Sequence, residues 1–466
     1  MRTPLSVLLV SGLTSVGIAD DLDSKIRSLM TKQRVPALTL AIVRHKKIVR
    51  LGAYGFANLE WKAKATNDTR FEIASISKMF CGAAVRLLIE QGKLDVEDPV
   101  SRYIPGTPAS WAGIKLRHLL TMSSGLPEDF GFDTIPYDAE VLGPRDDNEM
   151  LRQFFNLKMA APVGQEFHYS GPNFALLGMI VAKVSGVSYR QFVRDHLFKP
   201  AGMTQTTVID NSAVVPQRAE GYRLQNGVPK RGWLLGQYLH SRPDVAVLTT
   251  ARDLAKWIVA LEQHRILNHP EKLWEGAVSD SGRWLDYSYG WTLETLLGHR
   301  RLDHSGGFRT GFHTWLCRYP DDDLTVIVLT NCDYSGVREF ELLATHRYLR
   351  LPYDPAIESK KIDSEPAKTA RLVIAMKGVA AGKLDERMFA PNALDPVGLG
   401  EASGFLKPVN HWSFAGRTHL PNAGITIHGT TFKECETLRL QVGSQTFFLT
   451  LYLDSSGRIG YVEPTT

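Results

Sequence analysis

A serine and a lysine three residues apart, in Ser75-Ile76-Ser77-Lys78, are the side chains of this sequence best spaced to do chemistry. Where an extended stretch gives way to a helix, positions i and i+3 share a face, so the Lys78 amine reaches the Ser75 oxygen. A serine hydroxyl alone is a poor nucleophile, and an adjacent base activates it. A helix N-terminus adds a positive field that favours a developing oxyanion and disfavours a protonated lysine. By chance a Ser-x-x-Lys match turns up about once or twice in a chain of this length, so the tetrapeptide also reads as a plain helix cap with Lys78 in solvent. The setting separates the two. Met79, Phe80, Ala83, Ala84, Leu87 and Leu88 mark one buried face of a helix that runs to about Gln91, with Gly92 suited to its C-terminal cap.

Two more segments complete a site with Ser75 if the fold brings them to it. Tyr169, in Phe167-His168-Tyr169-Ser170-Gly171-Pro172-Asn173, precedes an apolar helix that starts at Phe174. Beside a lysine its phenolate can act as general base; the bland alternative is a ring packed on the core with its hydroxyl outward. His304-Ser305-Gly306-Gly307 lies just ahead of a strand at Gly311. Glycines at a strand edge let a ligand approach the backbone, and the Gly307 N–H can join that of Ser75 as an oxyanion hole. Otherwise His304 is a turn residue.

The positioning elements are legible in outline. Residues 36–45 and 48–56 read as a hairpin turning at His45-Lys46-Lys47. Helical patterns cover 174–184, 189–197 and 251–263. Pro320-Asp321-Asp322-Asp323 is a turn between strands at 311–318 and 324–329, and the second, apolar throughout, reads as a buried central strand. A helix over 338–349 follows. The polar, proline-bearing stretch 353–366 reads as a linker, and 367–466 as a small α+β module: a helix carrying Leu372, Val373, Met376, Val379 and Ala380, then strands near 413–419, 424–431, 446–453 and 459–462.

At the N-terminus, Arg2, the apolar stretch Pro4 to Ile18 and small Gly17 and Ala19 form a signal-peptide pattern over residues 1–19. It is too short and interrupted to span a membrane, so the expectation is a secreted or periplasmic protein with no transmembrane segment. The 54 basic and 49 acidic residues are dispersed, without the basic stripe a nucleic-acid partner requires. Cys81, Cys317, Cys332 and Cys435 form no CxxC or Cys/His spacing and the fourteen histidines no HExxH, so no metal site and no cofactor are expected. Buried free thiols are the expected state of the cysteines. The Asn67-Asp68-Thr69 sequon reads as a plain loop and Ser124 as structural.

Together these segments resemble the serine β-lactamase and penicillin-binding-protein superfamily, in the branch of class C-type β-lactamases, D-aminopeptidases, DD-peptidases and esterases. Its three elements are Ser-x-x-Lys, Tyr-x-Asn, and Lys-Thr-Gly or His-x-Gly, here Ser75–Lys78, Tyr169–Gly171 and His304–Gly306. Leu116 to Pro127 and Tyr289-Gly290-Trp291 add to the likeness, which covers roughly residues 25–350. The resemblance implies an α+β fold, an antiparallel sheet flanked by helices with a mostly helical insert, over residues 20–352. It implies an acyl-enzyme on Ser75, with Lys78 and Tyr169 sharing the proton and His304 donating to Tyr169 or to a substrate carboxylate. Ser75, Gly306, Gly307, Gly171 and Asn173 are the expected oxyanion-hole and substrate positions. Gly171 departs from the family asparagine, and Asn173 is the candidate substitute. The substrate expected is a small-molecule or peptide acyl donor: an ester, a D-amino-acid peptide or a β-lactam-like amide. The alternative is a non-hydrolysing penicillin-binding sensor or wall-binding protein that signals through its C-terminal module, whose partner the sequence leaves open.

Overall fold

The computed structural model describes residues 21–128, 146–233 and 242–349 (save 283, 297 and 298), and 365–465 apart from 391–392, 394–401, 405, 420–424, 428–429, 433 and 443–444. The signal-peptide pattern and nearly all of the 353–366 stretch lie outside the described residues.

Helix α1 (Asp21–Gln33) leads into the hairpin β1 (Ala37–Arg44) and β2 (Lys47–Asn58), followed by β3 (Ala63–Lys64) and β4 (Phe71–Glu72). Then come helix α2 (Ser77–Glu90), helix α3 (Gly171–Ser185), β5 (Thr207–Val208), β6 (Val247–Thr249) and helix α4 (Ala251–Glu262). Strands β7 (Tyr287–Ser288), β8 (Trp291–Leu296), β9 (His299–Phe308), β10 (Phe312–Tyr319) and β11 (Leu324–Thr330) finish the large sheet before helix α5 (Val337–Leu349). The sheet is antiparallel, in the order β7-β8-β9-β10-β11-β1-β2-β3.

β1 and β11 pair at its centre, and both are apolar without alternation because both faces are covered. Ala37, Ala41, Val43, Ile327 and Leu329 pack on the side of α2, α3 and α4. Leu38, Leu40, Ile42, Val326 and Val328 pack on the other side against Leu22, Ile26 and Met30 of α1 and Val337, Phe340 and Ala344 of α5. Asn331 staples the centre: its Oδ1 accepts from Ala37 N at 2.7 Å and its Nδ2 donates to the carbonyls of Phe56, Ala57 and Glu220. This satisfies a fully buried amide that would otherwise cost about 1–3 kcal/mol.

Helix α2 is almost wholly buried, with Phe80 packed on Trp257 and Phe198 at 4.7 and 5.2 Å between ring centres. Gly82 permits its closest approach. A Cβ there would lie 2.1 Å from the Tyr289 carbonyl oxygen, which brings the β7–β8 turn onto the helix that follows Ser75.

The C-terminal residues keep a core of their own. Helix α6 (Pro366–Ala380) lays Leu372, Met376 and Val379 on an antiparallel sheet of β12 (His411–His419), β13 (Glu434–Val442), β14 (Gln445–Leu453) and β15 (Ile459–Thr465). Strand β13 is absent from the sequence-based expectation. Its inward positions read Glu436, Leu438, Leu440, and the fully buried Glu436 breaks an otherwise plain alternation. The segment 304–307 also differs from expectation: it lies within β9 rather than ahead of a strand. All four cysteines are buried, and no disulfide joins any two of them. Among the described residues no helix is long and apolar enough to cross a membrane.

Candidate active site

Ser75 sits in a 3-10 turn, Ala74–Ile76, immediately before α2 rather than in the helix itself. The turn is pinned on both sides. Ile73 N donates to the Val247 carbonyl at 3.1 Å, and Val247 N donates to Ser77 Oγ at 3.0 Å. The Ile73 carbonyl accepts from Thr314 Oγ1 at 3.2 Å. Ala74 holds φ near +43°, a conformation that disfavours a Cβ, one residue before the hydroxyl. Strand β9 lies against this turn so closely that a Cβ on Gly306 would sit 2.0 Å from the Ile73 carbonyl oxygen. Pairing of β8 with β9 ends at Asp303, so residues 304–308 present an edge with no paired strand on that side.

Lys78 is fully buried, and its Nζ donates to Ser75 Oγ at 3.0 Å and to the Asp244 carbonyl at 3.2 Å. Burial works against its charge. Tyr169, Asp244 and Glu128 outweigh burial, and the net shift is upward, toward the ammonium. This reverses the expectation that the helix dipole leaves a neutral amine, because buried and nearby anions act over shorter distances than a helix end.

Tyr169 reaches the site on a segment tied down at several points. His168 N donates to the Met122 carbonyl at 2.7 Å, Ser170 Oγ to that of Pro127 at 2.8 Å, and Gly171 N to Glu128 Oε2 at 3.0 Å. The Tyr169 ring centre is 5.1 Å from Lys78 Nζ, and Tyr169 is among the groups that favour the Lys78 charge. Its ring also stands 6.0 Å from that of His304 and 6.2 Å from that of Tyr287.

His304 departs from the role expected of it. Its Nδ1 faces the Ser305 carbonyl at 2.5 Å, which requires Nδ1–H, and Nε2 then accepts from the Tyr287 hydroxyl at 3.0 Å. Burial, reinforced by the Lys78 charge, pushes its pKa down to about 3. His304 is therefore a neutral imidazole with both nitrogens engaged, not a donor to a substrate carboxylate. Asn173 is a second correction. It is fully buried at the start of α3, where Oδ1 accepts from Ser124 Oγ at 2.6 Å and Nδ2 points to the Met122 sulfur, so its amide does not replace the one missing at Gly171. Ser124 is thus engaged in packing the Tyr169 segment.

Ser75, Tyr169, Tyr287, His304 and Gly307 line one cavity of about 720 Å³. Gly307 stands in the open there, with no atom closer than 3.5 Å to the place of a Cβ, whereas Gly306 is buried in the β9–turn contact. Arg301 and Asp303, both buried, meet at 2.7 Å on the same wall as an ion pair. Sequence reasoning missed Tyr287, Glu128, Arg242 and Asp244. None lies in a motif-like spacing, and Asp244 falls in a stretch, 205–245, whose composition carries no signal. Among the described residues no group of three or more His, Cys, Asp or Glu side chains is placed to hold a metal ion.

Comparison with known proteins gives matching results. The beta-lactamase family model matches residues 22–348. Penicillin-binding protein 4* of Bacillus subtilis (strain 168) is 31% identical over 340 residues, which cover 66% of this chain and 72% of that protein. Protein flp of Staphylococcus aureus (strain MW2) is 28% identical over 333 residues, 68% of this chain and 64% of that protein, so the chain spans less than two thirds of that relative. Among solved structures, the penicillin binding protein from Bacillus halodurans superposes with a TM-score of 0.57 at 28% identity, over 70% of this chain and 98% of that one. The octameric penicillin-binding protein homologue from Pyrococcus abyssi shares the fold, with a TM-score of 0.61 at 22% identity over 93% and 96% of the two chains.

Proposed function

We propose that this chain, which belongs to the beta-lactamase family, is an exported serine hydrolase that forms an acyl-enzyme on Ser75 and acts on esters and other acyl donors without a carboxylate beside the scissile bond. The observation that carries the reading is the 3.0 Å contact of the buried Lys78 amine with Ser75 Oγ, at the edge of a cavity shared with Tyr169 and His304.

An ammonium only donates, so a Ser75 oxygen that accepts from Lys78 must direct its own proton to another acceptor. Tyr169 lines the same cavity as Ser75, and as its phenolate it serves as general base when Ser75 attacks the acyl carbon. The N–H groups of Ser75 and Gly307 stabilise the oxyanion as the tetrahedral intermediate forms. The proton passes from Tyr169 to the leaving group, and the phenolate so regenerated then takes a proton from the water that attacks the acyl-enzyme. A neutral His304 gives a substrate carboxylate no charge at position 304, and Gly171 offers no side-chain amide to an acylamino group. Both favour short esters over β-lactams and over peptides ending in a free carboxylate.

A fluorophosphonate probe should label Ser75 and fail to label a Ser75→Ala variant. The protein should turn over p-nitrophenyl esters faster than nitrocefin or a D-Ala-D-Ala peptide. Absence of labelling in the unsubstituted protein refutes the reading, and labelling without turnover makes it a stable acyl-enzyme instead. Export belongs to the same proposal, and a mature N-terminus near Asp20 on the secreted protein is its test. The division into a hydrolase domain over 20–352 and an accessory domain over 367–466 is likewise proposed, on the strength of the separate apolar core of the C-terminal residues.

A further inference from the structure

Lys78 also touches Arg242-Pro243-Asp244, a stretch that belongs to none of the three sequence elements. Besides the carbonyl contact, Lys78 Nζ stands 4.0 Å from Asp244 Oδ2. Arg242 grips that carboxylate with both arms, its Nε and Nη2 donating to Oδ1 and Oδ2 at 2.9 and 3.0 Å. Lys78, Asp244 and Arg242 are 1%, 3% and 4% exposed. Position 171 is a glycine that presents only backbone, and its N–H is taken by Glu128.

We propose that Asp244, clamped by Arg242, is the positioning residue that keeps the Lys78 ammonium on the Ser75 oxygen, a task for which position 171 supplies no side chain. Two of the three Lys78 protons go to Ser75 Oγ and the Asp244 carbonyl, and the Tyr169 ring stands 5.1 Å from the same nitrogen. A buried amine without a counter-charge gives up its proton. The Asp244 carboxylate supplies that counter-charge from just beyond hydrogen-bond range, so it holds the charge without drawing Nζ off Ser75. The guanidinium fork fixes the plane of the carboxylate and prevents it from turning to capture the lysine.

The other titratable groups facing this cluster do not supply the charge. Cys81 on α2, Tyr189 and Tyr287 are buried and held neutral, and His304 is neutral. Tyr169 also favours the Lys78 charge, but as the proposed base it gives up its negative charge each time it takes the Ser75 proton. Glu128 is a second anion near Lys78, but it is exposed and screened by solvent.

The proposal rests on Ser75 being the nucleophile, which labelling of the unsubstituted protein tests by itself. Asp244→Asn keeps the shape and removes the charge. With p-nitrophenyl acetate, kcat should fall about tenfold or more with KM nearly unchanged, and the alkaline limb of kcat/KM should move down by about one pH unit or more. Should this variant fail to fold because Arg242 is left unpaired, Asp244→Asn with Arg242→Met removes both buried charges and should show the same limb shift. If Ser75 is labelled in the unsubstituted protein and the limb stays in place in whichever variant folds, Asp244 does not act through Lys78 and the proposal is overturned.

Discussion

The neutral His304 makes a quantitative demand on stability. Its ordinary pKa of 6.5 falls to about 3 in the folded chain, so between those values the unfolded chain binds a proton that the folded one refuses. Above pH 6.5 both states are neutral at this residue and it contributes nothing. As pH falls below 6.5 the folded state loses about 1.4 kcal/mol per pH unit relative to the unfolded one. The loss is about 2 kcal/mol by pH 5 and about 5 kcal/mol near pH 3, where it levels off. His304→Gln removes the titration and keeps an acceptor for the Tyr287 hydroxyl. Urea unfolding of both proteins, followed by tryptophan fluorescence from pH 7 to 5, should show the unsubstituted protein losing about 2 kcal/mol more than the variant. His118 and His313, also pushed down by burial, are common to both and cancel in the difference. Parallel curves would mean that folded His304 titrates normally, and the assignment of its two ring nitrogens would fall with that result.

Tyr169→Phe deletes one hydroxyl from an exposed side chain, so its melting temperature should match that of the parent while kcat drops about 10²–10⁴-fold. Near-parental turnover would transfer the base role to Lys78. Gly306→Ala drives a Cβ to 2.0 Å from the Ile73 carbonyl oxygen and 2.5 Å from Thr314 Oγ1. It should destabilise by about 1–3 kcal/mol and lower ester turnover by separating β9 from the turn that carries Ser75. Gly307→Ala, whose Cβ makes only an ordinary contact with the His313 ring at 3.5 Å, should melt like the parent and change KM. Equal melting of the two alanine variants would refute the close contact.

The contact of Ser75 with Lys78 was legible because the two lie three residues apart at the start of a helix whose periodicity announces its burial. The β1–β2 hairpin and the apolar β11 were legible for the same reason, since strand burial writes itself into alternation or its absence. Contacts between distant segments were not. The pairing of Arg242 with Asp244 rests on two residues apart by two positions in irregular backbone, a spacing with no preferred geometry. Tyr287 meets His304 only because β7 and β9 flank β8 in the sheet. His304 was read as lying ahead of a strand, with a turn as the bland alternative, because two glycines lie close behind it. Those glycines serve close packing and an open cavity wall inside a strand. Asn173 was misread because its position near the second element says nothing of its direction, which the Pro172 turn into α3 sets inward.

The central strand pair has a consequence for biosynthesis. Ala37 and Asn331, joined by a hydrogen bond, stand 294 positions apart in the chain. At roughly 5–20 residues per second, a ribosome delivers the later strand about 15–60 s after the earlier one. Until then β1 has β2 on one flank and an apolar, unmatched edge on the other, the kind of surface that invites aggregation. Ser75 and Lys78 are made early in that interval, but the wall that holds their turn through Thr314 arrives only with the last strands. A nascent chain stopped between Gly307 and Leu324 would therefore carry every residue of the proposed site and lack the centre of the sheet that assembles them.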